Sequence, residues 1–162
     1  KSYVLYGTKA EEHIRALFAL DHPEYQVNYY GDNMILNDKY PFAHASLDGE
    51  LTELENGRKG IFECKTTELF SSISKEKWDG NNIPDNYYIQ TLHYLMVTEY
   101  EFVELRAQIK SRWNNQIRLT TKDYHIERSE VLQDIEILME AEKKFINQVN
   151  NRQKPALILP DI

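Results

Sequence analysis

The sequence predicts a mixed α/β (α+β) domain with one central mixed β-sheet flanked by helices. Three observations carry this. Apolar and β-branched residues alternate between Tyr25 and Thr67, and again between Phe102 and Glu127. Segments with helical periodicity precede, separate and follow these runs. The resulting order, α-β-β-β-β-α-β-β-α, suits a sheet covered by helices. A chain of 162 residues with 41% apolar residues can bury one substantial core, so residues 1–162 are expected to form a single domain.

The first helix is expected from Thr8 to Leu20, with Ala10, Ile14, Leu17 and Phe18 on its apolar side and Gly7 or Thr8 near its start. Asp21-His22-Pro23 ends it, because Pro cannot continue a helix. Tyr25–Tyr30 is a strand, Gly31-Asp32-Asn33 a turn and Met34–Leu36 a returning strand. After Pro41, a third strand covers about Phe42–Leu51. Asn56-Gly57 is a hairpin signal, and Gly60–Thr67 is the fourth strand. Residues 69–83 have no clear period. A helix from Asp85 to Thr98 follows Pro84, with Ile89, Leu92, Leu95 and Met96 inward. Phe102–Ile109, Gln116–Thr120 and Tyr124–Glu127 are strands. Ser129 is the expected N-cap of a last helix reaching Asn150.

Composition narrows the function. No apolar run approaches the ~20 residues of a membrane span, and the polar opening KSYVLYGTKAEEH is no signal peptide. The single cysteine, Cys64, cannot form an intramolecular disulfide or a thiolate metal cluster, so the cytoplasm is the expected location. Lys1 in place of Met is consistent with a sequence that starts inside a longer protein and lacks an N-terminal segment. The net charge of −7 speaks against a purely electrostatic nucleic-acid binder, although a divalent-cation site must itself be acidic.

The chemistry concentrates between His44 and Thr67. Strand alternation puts His44, Ser46 and Asp48 on one face and Ala43, Ala45 and Leu47 on the other. In the next strand Glu63, Lys65 and Thr67 share a face, opposite Phe62 and Cys64. Paired strands would bring Asp48 and Glu63 together. Two ionised carboxylates at one point repel, and a divalent cation with oxygen preference, Mg²⁺ or Mn²⁺, relieves that. Lys65 would orient a water or neutralise a phosphate. A D…ExK pattern is short, and acids and lysines on a solvated hairpin match it equally well. Gln90 and Tyr94, spaced i,i+4, share a helix face. Glu11 stands on the first helix, where an exposed surface glutamate is the simpler account.

Taken in order, Gly7-x-x-x-Glu11, Ser46-Leu47-Asp48-Gly49, Glu63-Cys64-Lys65 and Gln90-x-x-x-Tyr94 resemble the lambda exonuclease/YqaJ-like viral recombinase family of the PD-(D/E)XK nuclease superfamily. The resemblance covers residues 7 to about 98, with GTKAEEHIRALF its opening helix. It implies a restriction-endonuclease-like core and a Mg²⁺- or Mn²⁺-dependent DNA exonuclease of phage recombination or repair. Asp48, Glu63 and the Cys64 backbone carbonyl would bind metal. Glu11 would serve a second metal position, Lys65 would be the catalytic lysine, and Gln90 would position nucleophile or substrate. Linear duplex DNA is the implied substrate, a single-strand annealing protein a possible partner, and a homo-oligomer the implied assembly. Leu47 departs from the family's usual Pro before the Asp.

Beyond these motifs, Tyr94, Lys75, Lys77 and Trp78 are candidate substrate contacts, with basic groups for phosphate and aromatic rings for stacking. Arg106, Lys110, Arg112, Trp113 and Arg118 form a second basic group. Cys64 reads as a small core residue. Two other functions fit the same residues: a non-catalytic nucleic-acid-binding or assembly module, and a repair-type endonuclease.

Overall fold

The computed structural model describes residues 2–69, 76–113 and 116–155. Its elements are α1 (Ser2–Asp21), β1 (Tyr25–Asn28), β2 (Ile35–Leu36), β3 (His44–Ala45), β4 (Gly49–Glu53), β5 (Lys59–Leu69), α2 (Asp85–Thr98), β6 (Phe102–Trp113), β7 (Gln116–Glu127) and α3 (Leu132–Asn150), with a 3₁₀ turn at Arg128–Glu130. Five strands form one mixed sheet in the order β1-β4-β5-β6-β7, and β2 and β3 make a small second sheet. Among the described residues only the β5–β6 pair is parallel. The chain between them passes through α2, as a parallel crossover requires.

The two faces of the sheet bury different partners, as side-chain alternation dictates. On one face Phe62, Leu51 and Phe102 pack against Ile14 and Phe18 of α1. On the other, Ile61, Val103, Leu105 and Ala107 pack against Leu92, Leu95 and Met96 of α2. At the start of the parallel pair Gly60 faces Phe102. A Cβ on Gly60 would lie 2.3 Å from that ring, so only glycine fits. Helix α2 ends on Glu99 in the left-handed region (φ 56°), whose N–H donates to the Leu95 carbonyl.

Several local expectations are corrected. Helix α1 begins at Ser2 and runs through Gly7 rather than starting there. Gly7 is tolerated because α1 lies so close to β5 that a Cβ would sit 3.2 Å from Thr66 Oγ1. The Tyr25 and Met34 segments do not pair as a hairpin: β1 pairs with β4, and β2 with β3. The strand expected over 42–51 breaks at Ser46–Asp48, between β3 and β4. Residues 116–127 form one continuous strand. Ser129 lies in the 3₁₀ turn, and the α3 cap residue is Val131, with no side-chain cap. Ile89, expected inward, is 50% exposed. The α3 stripe is covered only in part: Ile135 is buried, whereas Phe145 and Val149 face outward.

Candidate active site

The site forms where the β4–β5 ladder ends. Gly49 pairs with Phe62, so Asp48 and Glu63 stand at the next step, where the strands part. Beyond it, β5 offers its backbone edge. Asp48 caps that edge, its Oδ2 accepting the Cys64 N–H at 2.8 Å. The break before Asp48 is held from outside the sheet. The Asn33 side chain accepts the Leu47 N–H at 2.8 Å and donates to the Leu47 carbonyl at 2.9 Å, standing in for a neighbouring strand. Arg15 of α1 donates to the Asp48 carbonyl at 2.7 Å, while its guanidinium lies 3.8 Å from the Tyr29 ring centroid. Asn33 and Arg15 were not singled out from the sequence. The turn GDN was the one local signal near Asn33, and it says nothing about a partner 14 residues away.

Glu11, Asp48, Glu63, Lys65, Gln90 and Tyr94 line one cavity of about 230 Å³, together with Gly7, Cys64 and Thr66. Helix α1 brings Glu11 from one side of the sheet, and α2 brings Gln90 and Tyr94 from the other. Lys65 Nζ donates to Glu63 Oε1 at 2.5 Å and to Gln90 Oε1 at 2.8 Å. The Gln90 amide in turn donates to the Tyr94 hydroxyl at 2.9 Å. Lys65 also lies 5.0 Å from the Tyr87 ring centroid. Glu11 is engaged by Arg15 at 3.4 Å. The expected convergence of Asp48, Glu63 and Lys65, with Glu11 and Gln90 facing the same space, is therefore what the fold produces.

The cavity is under electrostatic stress. Burial raises the Asp48 carboxyl to about 6, against the opposing hydrogen bond from Cys64 N–H, with the Glu11 charge adding to the rise. Burial and the Asp48 charge push Glu63 up to about 8, and Lys65 only partly offsets them. Burial pulls the Lys65 ammonium down, but the Glu63 carboxylate outweighs it and the net displacement is upward. The Cys64 thiol is driven up to about 12 by burial and the surrounding acids. It is only partly buried and packs beside the Phe18–Phe62 cluster, at the edge of the core.

A family model for the YqaJ-like viral recombinase domain matches residues 1–101, more than half of the chain. The chain belongs to the YqaJ-like viral recombinase family. One relative, the uncharacterized protein YqaJ of Bacillus subtilis (strain 168), is 31% identical over 125 residues, which cover 76% of this chain and 35% of that protein. The chain thus spans about a third of its relative's length. Among solved structures, the alkaline exonuclease LHK-Exo from Laribacter hongkongensis superposes with a TM-score of 0.56 at 18% identity, over 92% of this chain and 73% of that one. LHK-Exo in complex with dAMP gives 0.54 at 18% identity, over 94% and 75%. The shared architecture is a PD-(D/E)XK-type fold.

The YqaJ-like cavity fits a divalent cation in its donor chemistry. Glu63 is 2% exposed, and its Oε2 is buried without a hydrogen-bond partner among the described residues. An orphaned carboxylate oxygen beside a second acid is a cation's natural counterpart. Among the described residues no three His, Cys, Asp or Glu side chains are already arranged around one point. An ion here would rest on two carboxylates, with the strand edge and water completing its shell.

Other candidates lie elsewhere. Trp78 is a correction: it is 3% exposed, packs in the α2-side core against Tyr87 and Tyr124, and its ring is not free to stack on a base. Lys77 is exposed next to it and is not among the residues lining the cavity. Lys75 lies outside the described residues. Arg106 is a second correction. Its side chain is buried and bound to Asp123 and Asp21 at 2.7 Å each, so it is not available to a phosphate. His44 is exposed, and its carbonyl accepts from the His93 ring at 2.9 Å. No helix among the described residues is long and apolar enough to cross a membrane.

Proposed function

We propose that this domain is a Mg²⁺- or Mn²⁺-dependent deoxyribonuclease that hydrolyses phosphodiester bonds at the end of linear duplex DNA. The observation carrying the reading is the buried Glu63 with its orphaned Oε2, set beside Asp48 and bonded to Lys65. An unpaired buried polar atom costs about 1–3 kcal/mol, which a bound cation would offset. The family and the fold shared with an alkaline exonuclease support the same direction.

Asp48 and Glu63 would hold the cation, with the Cys64 carbonyl as a further oxygen donor, and Glu11 would serve a second ion or its water shell. A bound divalent cation supplies positive charge against the phosphate and makes a neighbouring water acidic. The chain's own residues do the rest. Lys65 sets an ammonium toward the reacting phosphate and stabilises the charge that builds on its oxygens. Gln90 fixes Lys65 through its carbonyl, and Tyr94 fixes the Gln90 amide. A cation held in the cavity would offset the repulsion between the Asp48 and Glu63 carboxylates.

Two measurements test this. Calorimetric titration with Mn²⁺ should show binding that Asp48→Ala abolishes. Wild-type protein with Mn²⁺ should degrade linear duplex DNA, and Lys65→Ala should lower the rate by about 10²–10³-fold, the usual cost of losing one charge-stabilising donor. Intact linear DNA, with folding and Mn²⁺ binding verified, would overturn the proposal. Cutting of closed circles would redirect it to an endonuclease.

A further inference from the structure

The sheet narrows beyond the site. β4 stops pairing at Phe62, while β5 continues to Leu69, opposite Ser111, and β6 and β7 run on to Trp113 and Gln116. From Glu63 onward, three strands and then two form a tongue with the active-site residues at its root. Lys65 stands level with Ala107, and Arg112 lies five residues further along β6. At ~3.3 Å per residue that is about 17 Å, or roughly five base-pair steps of duplex.

The tongue is basic in an acidic protein. Ala107 to Lys122 contains Lys110, Arg112, Arg118 and Lys122 and no Asp or Glu, within a chain of net charge −7. Lys122 is committed to the fold, donating to the Trp78 carbonyl at 2.6 Å. The other three point outward. Arg112 is 61% exposed and Lys110 36%, and each is held only loosely by Glu68, at 3.9 and 3.8 Å. Arg118 is exposed on β7. Register and alternation place Lys110 and Arg112 on one face and Arg118, opposite Ser111, on the other. Cations on both faces of a narrow ribbon suit a partner whose charge is spread along two strands.

We infer that the β5–β7 tongue is a duplex-gripping arm: Lys110, Arg112 and Arg118 bind backbone phosphates of DNA about three to five base pairs from the cleavage site. The inference rests on the nuclease reading and adds a substrate surface remote from the cavity. The arm contacts phosphates and no reacting atom. It therefore sets affinity, salt dependence and KM, and leaves kcat alone.

The test is the triple variant Lys110→Gln/Arg112→Gln/Arg118→Gln beside a control that removes equal charge from α3 and its following turn, Lys143→Gln/Lys144→Gln/Lys154→Gln. Binding of a fluorescent 20-base-pair duplex is measured without divalent ion across a salt series, and cleavage with Mn²⁺ at saturating and limiting DNA. The arm variant should bind at least tenfold more weakly and show a log K–log salt slope shallower by about 2 to 3, at ~0.9 for each phosphate no longer neutralised. Its KM should rise and its kcat hold, with the control like wild type. An unchanged slope in a variant that still cleaves DNA overturns the arm and spares the nuclease reading. If wild type neither binds nor cleaves duplex, both fall. If sedimentation shows that the variant has lost self-association while its DNA slope is unaltered, the tongue is an interface between copies and not a DNA arm.

Discussion

Two buried polar clusters sit on the same sheet, and they are built in opposite ways. On the α1 face, Arg106 makes three hydrogen bonds of 2.7 Å, two to Asp123 and one to Asp21. Beside it Glu104 accepts from the Tyr25 hydroxyl at 3.0 Å and pairs with the His125 ring at 2.6 Å. There charges are matched. At the end of the β4–β5 ladder, Asp48, Glu63 and Glu11 face Lys65 and a distracted Arg15. One oxygen is orphaned, and two carboxyls are displaced upward. Both clusters are desolvated, so burial alone does not mark function. The difference lies in the excess of carboxyl groups in the second cluster, which the proposed cation would balance.

That contrast can be broken by removing one charge from each cluster. Arg106→Met should cost about 3 kcal/mol in urea unfolding, near the low end for a broken buried pair because Asp21 is largely exposed. Glu63→Gln, which removes the carboxyl but keeps an acceptor for Lys65, should leave the metal-free protein about as stable, while Mn²⁺ binding disappears. If both variants lose stability alike, the two clusters are not different in kind.

A smaller effect tests the clamp on Asp48. Asn33→Ala should lower Mn²⁺ affinity by about tenfold, the usual scale for a residue that orients a ligand, with KM for DNA unchanged and kcat reduced. Equal losses of affinity and thermal stability would mean that Asn33 only supports the fold. The gentlest test uses pH. His125 is raised to about 9, chiefly by its bond to Glu104 and against burial. A histidine whose folded pKa is raised contributes stability that is complete below its unfolded value of ~6.5 and is lost as pH climbs toward 9. Stability should therefore fall across pH 6.5–9, with a lesser contribution of the same sign from His22. His125→Gln should flatten that slope, and an unaltered slope would assign it elsewhere.

Much of this was legible in the sequence, for a physical reason. Period-two alternation reports which face a residue takes, so Ala43, Ala45 and Leu47 inward and Glu63 with Lys65 on one face could be read directly. Helix α2 kept its expected bounds because Pro84 and Asp85 mark its start locally. What could not be read depends on distant partners. The break at Ser46–Asp48 exists because Asn33 replaces a strand there, and no local pattern encodes that. Arg106 looked like a phosphate ligand because sequence does not show Asp21 and Asp123 waiting for it. Trp78 looked like a stacking platform because a tryptophan in an aperiodic stretch carries no sign of burial.

The Phe102 ring over Gly60 has a consequence for the chemistry. Side chains on a strand change sides with each residue, so a slip of one position between β5 and β6 would carry Glu63 and Lys65 to the α1 face and Phe62 and Cys64 toward Gln90. The keyed ring forbids that slip: any other alignment puts a side chain where only a hydrogen fits. One aromatic–glycine pairing at the start of β5 thus assigns Glu63 and Lys65 to one face of the strand and Phe62 and Cys64 to the other. Gly60→Ala is then a probe of alignment and not of flexibility.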